Sequence, residues 1–315
     1  MDSAHAPFSP LTPALVTVGG RRVEVFDVGA STAGEPVIVL LTGAGDTVRS
    51  WLPVQTLLSR QSRVLAYERA GIGASEPGPP RTLEGFLAEL DAVLAATAPD
   101  SRVLLVGHSF GALLARVHAA RHPQRVAGLV LLDATPETLQ LDVLRRPGYR
   151  LYVGSIALVR RLLPGAVFGR LVSGNVLPYY PGRGPFWRQL GPAARRDWQR
   201  AVHALFVGEA VAEMRAVLPG ATAAAREFAA DGASLGDLPV ALVTSGTYGR
   251  GWIRLHDAVA ARYPRATHEL SGDRFHNIHM RHADRVVNIV RDMLADATEQ
   301  HPSGETGSHT PEETP

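Results

Sequence analysis

The apolar residues of this chain fall in short, nearly continuous blocks. They are VTV at 16–18, RVEVFDV at 22–28, VIVLL at 37–41, RVLAY at 63–67, RVLLV at 102–106, AGLVLL at 127–132 and VALVT at 240–244. Blocks this short, rich in branched side chains and with little polar alternation, predict strands covered on both faces. Between 37 and 132 they alternate with helical stretches at 49–60, 82–97 and 110–121. In the second of these, Leu83, Phe86, Leu87, Leu90, Val93 and Leu94 recur at helical spacing. Strand–helix alternation predicts an α/β fold, a mainly parallel sheet flanked by helices. The first two blocks are joined around Gly19–Gly20 and predict an antiparallel hairpin at the sheet's edge.

The alternation stops from 136 to 237. That segment reads as helices punctuated by Pro and Gly, as in LLPGAVFGR and VLPYYPGRGP, before VALVT resumes the strand pattern. An insertion of this size predicts a helical cap over the sheet's C-terminal edge. The expected organisation is therefore a core of 1–135 and 238–297, a cap of 136–237 and a tail of 298–315. The tail, TEQHPSGETGSHTPEETP, is polar and predicts disorder.

Composition removes several chemistries. There is no cysteine, so disulfides, thiolate metal sites and cysteine nucleophiles are excluded. All 32 basic residues are arginine, which excludes a Schiff-base or general-base lysine. The formal net charge of +2 carries no nucleic-acid signal. The N-terminus lacks the basic and apolar regions of a signal peptide, and no apolar run is long enough to span a membrane. The expectation is a cytoplasmic protein acting on a small molecule, with no nucleic-acid or membrane partner.

One block ends abruptly. VLLVGHSFGALL passes from strand to helix through Gly-x-Ser-x-Gly, a tight turn that lifts a serine hydroxyl to the top of a sheet. The pattern occurs twice, at 107–111 and at 232–236, and context separates them. Ser109 follows a strand and opens a helix, whereas Ser234 follows the polar EFAADGA and precedes a strand. Ser109 is the candidate nucleophile. A serine hydroxyl needs a base, and the base needs an orienting carboxylate, in the chain order Ser, acid, His for this architecture. SGDRFHNIHMRH supplies His276, His279 and His282 as bases, and spacing does not choose among them. Their spacing also suggests a metal site, but no carboxylate pattern accompanies it, so no metal and no cofactor are expected.

The chain resembles the α/β-hydrolase fold superfamily, in particular its capped members. The resemblance rests on LTGAGDTVRSW at 41–51, YERAGIGASEPGP at 67–79, LVGHSFGALLARVHAARHP at 105–123, VAGLVLLDATPE at 126–137 and HNIHMRHADRVV at 276–287, in family order. It implies a cofactor-free serine hydrolase with His276 as base and His279 and His282 at outward or rim positions. It places the acid after one of two strands. Asp133 is preferred, with Asp257 and Asp273 as alternatives. It implies an oxyanion hole from the backbone N–H groups of Phe110 and, in the TGAG loop, Ala44. Thr42-Gly43 stands where relatives carry His-Gly, and Glu68 and Ala283 replace a usual Asp and Pro away from the chemistry. Gly71 and Gly73 are read as turn glycines rather than ligand-binding ones.

The cap aromatics Tyr149, Tyr152, Phe168, Tyr179, Tyr180, Phe186, Trp187, Trp198 and Phe206 are expected to divide between an apolar pocket and the cap's own core. The implied activity is cleavage of a carboxylic ester or lactone of a small, largely apolar molecule. Alternatives on the same pocket are a thioesterase or acyltransferase, a cyclase, lyase or cofactor-free peroxidase, and a silent binding protein. Dehalogenases and epoxide hydrolases of similar shape carry aspartate at the elbow, and Ser109 argues against both.

Overall fold

The computed structural model describes residues 7–138, 145–164, 167, 184–230 and 236–299. Eight strands form one sheet: β1 (Ala14–Val18), β2 (Arg21–Val28), β3 (Val37–Leu41), β4 (Val64–Tyr67), β5 (Val103–His108), β6 (Val126–Leu132), β7 (Val240–Thr244) and β8 (Ala266–Leu270). Their spatial order is β1-β2-β4-β3-β5-β6-β7-β8. The β1–β2 and β2–β4 pairs are antiparallel, and every pairing from β4 to β8 is parallel.

The continuous apolar blocks follow from this arrangement. Val37, Val39 and Leu41 of β3 pack on one face with Leu90, Val93 and Leu94 of α2 (Leu83–Thr97) and Ala112 and Ala115 of α3 (Phe110–Arg121). Ile38 and Leu40 point the other way, toward Trp51, Val54 and Leu57 at α1 (Leu52–Leu58) and Val286, Val287 and Val290 of the C-terminal helix. A strand with two dry faces has no position for a polar residue, so its pattern loses the alternation of a half-exposed strand.

β8, ATHEL, is absent from the sequence-based strands. It is a half-exposed edge strand, and its polar residues hide it from a search for apolar blocks.

Between β6 and β7 the described residues are helical: α4 (Arg145–Leu162), α5 (Pro185–Gln189), α6 (Pro192–Val207) and α7 (Ala210–Ala230). After β7 come α8 (Arg250–Ala260), α9 (Ile278–Arg281) and α10 (Ala283–Glu299). Thr298 and Glu299, assigned to the tail from sequence, extend α10, and the rest of that tail lies outside the described residues. No helix among the described residues is long and apolar enough to cross a membrane.

The strand order reverses between β3 and β5, which leave the sheet toward opposite neighbours. In open α/β sheets such a switch point, at the carboxyl ends of the strands, opens the crevice where ligands bind. The turns after β3, β5 and β6 carry TGAG, Ser109 and Asp133.

Candidate active site

Ser109 sits between the last residue of β5 and the first of α3 with φ +52°, and Asp133, directly after β6, has φ +44°. No other described non-glycine residue has a positive φ. Side chains rarely adopt this region, and each instance costs on the order of 1–3 kcal/mol, sustained by the surrounding structure. That support is visible. Ser109 N–H donates to Leu132 O at 2.9 Å, and Ser109 O accepts from Thr135 N–H at 2.9 Å, tying the β5 turn to the β6 turn. The elbow glycines are required by contact. A Cβ on Gly111 would stand 2.4 Å from Leu41 O, and one on Gly107 would stand 2.5 Å from Ala112 Cα. Both clashes are with backbone, which has nowhere to move.

The structure brings Asp133 and His276 together, with His276 Nδ1 2.6 Å from Asp133 Oδ2. Asp133 is fully buried, and its oxygens also accept from Ser245 N–H (3.0 Å), Ser245 Oγ–H (2.6 Å) and Trp252 Nε1–H (2.9 Å). Burial pushes this carboxyl up, but the His276 bond and charge, with the Ser245 hydroxyl, outweigh burial and hold it below the usual carboxylate range. The two alternative acids are engaged elsewhere. Asp257 is exposed and pairs with His268 Nδ1 at 2.9 Å. Asp273 binds Arg281 Nε at 2.8 Å and His282 Nε2 at 2.8 Å.

The other histidines part company. His282 stays half-exposed on Asp273. His279 does not lie outward or at a rim. It is fully buried, stacked on Trp51 at 4.1 Å, with Nε2 3.1 Å from Ser50 Oγ. One turn of α9 carries it inward beneath the loop that bears His276, and burial pulls its pKa down to about 3. His108, the residue before Ser109, is also buried and held well below its usual value by burial and by His276 and His279. Its Nε2 meets His276 O at 3.0 Å, so a neutral ring buttresses the loop without placing a charge there.

Asp46, His108 and His279 bring one donor atom each within 4.8 Å of one another. Burial raises Asp46 to about 7 against hydrogen bonds from Ser50 and Thr47.

Phe110 N–H, the first amide of α3, has no acceptor inside its helix. The orientation of Ala44 N–H follows from a buried ion pair that sequence reasoning missed. Arg69 donates from Nη1 to Thr42 O (2.8 Å) and from Nη2 to Gly43 O (2.6 Å). The peptide joining Gly43 to Ala44 is trans, so with its C=O turned to Arg69 its N–H points the opposite way. Arg69 is held by Glu213 of α7 (2.7 and 2.6 Å), and Glu213 also accepts from Gly45 N–H (2.9 Å). The ERAG motif marks Arg69, but its partner lies 144 residues away in the least recognisable part of the chain.

Ser109, His276 and the loop after β3 border a cavity of about 510 Å³. Gly43, Ala44, Ser109 and His276 line its floor, and Tyr149, Tyr152, Phe206, Met214, Val217 and Leu218 of the helical insertion line the side above them. Tyr248 and Trp252, from the segment after β7, were also missed; Tyr248 packs edge-on against His276 at 5.3 Å. Phe186 and Trp198 pack on each other at 5.0 Å instead. Phe168, Tyr179, Tyr180 and the second elbow pattern's Ser234 lie outside the described residues.

Residues 36–173 match a family model described as alpha/beta hydrolase fold. A 2-hydroxy-6-oxo-2,4-heptadienoate hydrolase of Pseudomonas putida is 39% identical over 132 residues, which is 40% of this chain and 46% of that protein. A pimeloyl-[acyl-carrier protein] methyl ester esterase of Edwardsiella ictaluri is 36% identical over 104 residues, 33% of this chain and 38% of its own length. The matches thus span less than half the length of each relative. Among solved structures, an epoxide hydrolase from Vigna radiata superposes with TM-score 0.71 at 18% identity, covering 90% of this chain and 98% of that one. A thermophilic esterase from Thermogutta terrifontis superposes with TM-score 0.65 at 19% identity, covering 91% and 99%.

Proposed function

Starting from a chain that has the α/β-hydrolase fold, we propose that it is a serine hydrolase cleaving a carboxylic ester or lactone of a small, largely apolar molecule. The reading is carried by the 2.6 Å bond from His276 to the buried Asp133, beside the strained Ser109, in one cavity. With Nδ1–H donated to Asp133, the imidazole lone pair lies on Nε2, the form a general base requires.

Ser109 Oγ attacks the carbonyl carbon while His276 Nε2 takes the hydroxyl proton. The C=O electron pair moves onto oxygen, where Phe110 N–H and Ala44 N–H receive the negative charge. Collapse expels the alkoxide, protonated by His276, and leaves an acyl-Ser109 ester. Water, deprotonated by the same imidazole, then releases the acid. Preorganised donors at the oxyanion are each worth roughly 10²–10³ in rate.

The walls support an apolar substrate, because the insertion contributes aromatic and aliphatic side chains to the cavity. On this reading the insertion is a cap that selects the substrate. Of the partial relatives, the methyl ester esterase is named for ester cleavage, whereas the other is named a hydrolase of a keto-enol acid that carries no ester, and so agrees only with hydrolysis.

The test is turnover of p-nitrophenyl esters of graded acyl length, followed by labelling with an organophosphonate and peptide mass spectrometry. The expected adduct is on Ser109, with loss of turnover and labelling in Ser109→Ala. Labelling at another residue, or full turnover by that variant, overturns the assignment. Thioester substrates hydrolysed faster than matched esters, or product formed without release of acid, would move the activity to the alternative chemistries.

A further inference from the structure

A second cluster of ligand-type side chains lies on the outer layer, away from the cavity. His118 and His122 stand four residues apart at the end of α3, and Asp91 faces them from α2. Asp91 Oδ1 is 3.0 Å from His118 Nδ1 and 3.4 Å from His122 Nε2. The three residues bring one donor atom each within 4.8 Å of one another. From these positions we propose that Asp91, His118 and His122 form a binding site for a divalent transition-metal ion of the zinc type, clamping α2 to α3.

Three observations carry it. Zinc holds imidazole nitrogen and carboxylate oxygen at about 2.0–2.2 Å, so neighbouring donors on a tetrahedron stand about 3.3 Å apart. The two nitrogen–oxygen separations already bracket that spacing, and little movement is needed. The second observation is an unmet valence. His118 is 4% exposed at its side chain, yet neither ring nitrogen makes a hydrogen bond. The Asp91 oxygen lies 3.0 Å from Nδ1, within ion-pairing reach but poorly aligned for a hydrogen bond, and Nε2 meets no partner. An imidazole buried with its polar atoms unused is costly unless something else engages them.

The third is charge. Arg121 pairs with both Glu84 and Glu227 beside the cluster. Arg121 is engaged by these two carboxylates, and Asp91 has no guanidinium within ion-pair distance among the described residues. The C-terminal end of α3 adds the negative pole of its helix dipole.

Two imidazoles and one carboxylate favour zinc, copper, nickel or cobalt over magnesium or calcium, which take oxygen ligands. His122 and Asp91 are partly exposed, 40% and 43% at their side chains, so an ion has a path in. The clamp would act on the helix that carries Ser109. That helix is already held to α2 near its start by the edge-on pair Phe86–Phe110 at 5.4 Å. At its last residue the Arg121–Glu84 pair also reaches α2, and the metal would add a tie between His118 and Asp91.

The experiment uses tag-free full-length protein stripped with a chelator. Zinc titration by calorimetry should show one equivalent bound, and cobalt should give the visible absorption of a tetrahedral nitrogen–oxygen site. Zinc should raise the unfolding temperature, and magnesium should not. His122→Gln and Asp91→Asn, both at partly exposed positions, should weaken zinc binding by about tenfold or more and abolish the thermal shift. Asp46→Asn should retain both, because Asp46 belongs to the separate cluster beside the cavity. Absence of binding by the wild type, or equal binding by His122→Gln and Asp91→Asn, overturns the proposal. Loss of binding in Asp46→Asn alone would place the ion in the other cluster and overturn it equally.

Discussion

Removing the Glu213 carboxylate should damage catalysis from a residue that does not touch the reacting atoms. Its oxygens accept from Gly45 N–H, from Arg69 Nε and Nη2, and from Arg81 Nη1 at 2.9 Å. Both ends of the Arg69–Glu213 pair are nearly inaccessible, at 4% and 1% of their side chains. Breaking a buried pair by deleting one partner leaves the other charge uncompensated and costs about 3–5 kcal/mol. Arg81 keeps Glu209 as a partner, so the loss concentrates on Arg69. For Glu213→Ala this predicts a fall in unfolding temperature of roughly 5–8 °C in a chain of 315 residues.

Glu213→Gln separates structure from charge, since its amide oxygen still accepts from Gly45 N–H. There, Arg69 is held less firmly, the Gly43–Ala44 peptide is freer to rotate, and the oxyanion loses a fixed donor. Complete loss of one donor costs about 10²–10³ in rate, so partial misplacement predicts a fall in kcat of about 10–100-fold with KM little changed. The assay is steady-state ester hydrolysis beside a thermal melt for both variants. If Glu213→Ala melts with the wild type and Glu213→Gln turns over at the wild-type kcat, the positioning argument is refuted.

Other outcomes follow from the same geometry. Asp133→Asn should keep the fold but reverse the hydrogen bond to His276, lowering kcat by about 10⁴ at neutral pH, read in the same ester assay. Ser109→Gly relieves the φ of +52° and should raise stability by about 1–2 kcal/mol while abolishing turnover; an unchanged urea midpoint would contradict this. Asp46, raised by burial from 3.8 to about 7, holds a proton in the folded state that the unfolded chain has already released between those values. Its contribution therefore falls as pH rises through that window, by up to roughly 4 kcal/mol, and Asp46→Asn should flatten the decline in unfolding free energy measured across it.

The chain's hydrophobic pattern alone determined the layered fold. Blocks such as VIVLL and RVLLV read as strands because each residue's own environment is dry, and that is a local property the residue type records. Gly107 and Gly111 were legible for a similar reason, since close backbone contact leaves no room for a side chain, and they frame Ser109.

Tertiary structure decided what depends on a partner far along the chain. Asp133, Asp257 and Asp273 are equivalent as letters, and only the β6 turn brings its carboxylate to His276. His276 and His279 sit three residues apart, yet one lines the cavity and the other is stacked against Trp51. The Arg69–Glu213 pair and the approach of Asp91 to His118 and His122 left no periodic trace. β8 was missed because an exposed edge strand needs no apolar block. Burial is written into composition residue by residue, whereas pairing of charges and donors is fixed by distances across space, which the order of residues does not state until the chain has packed.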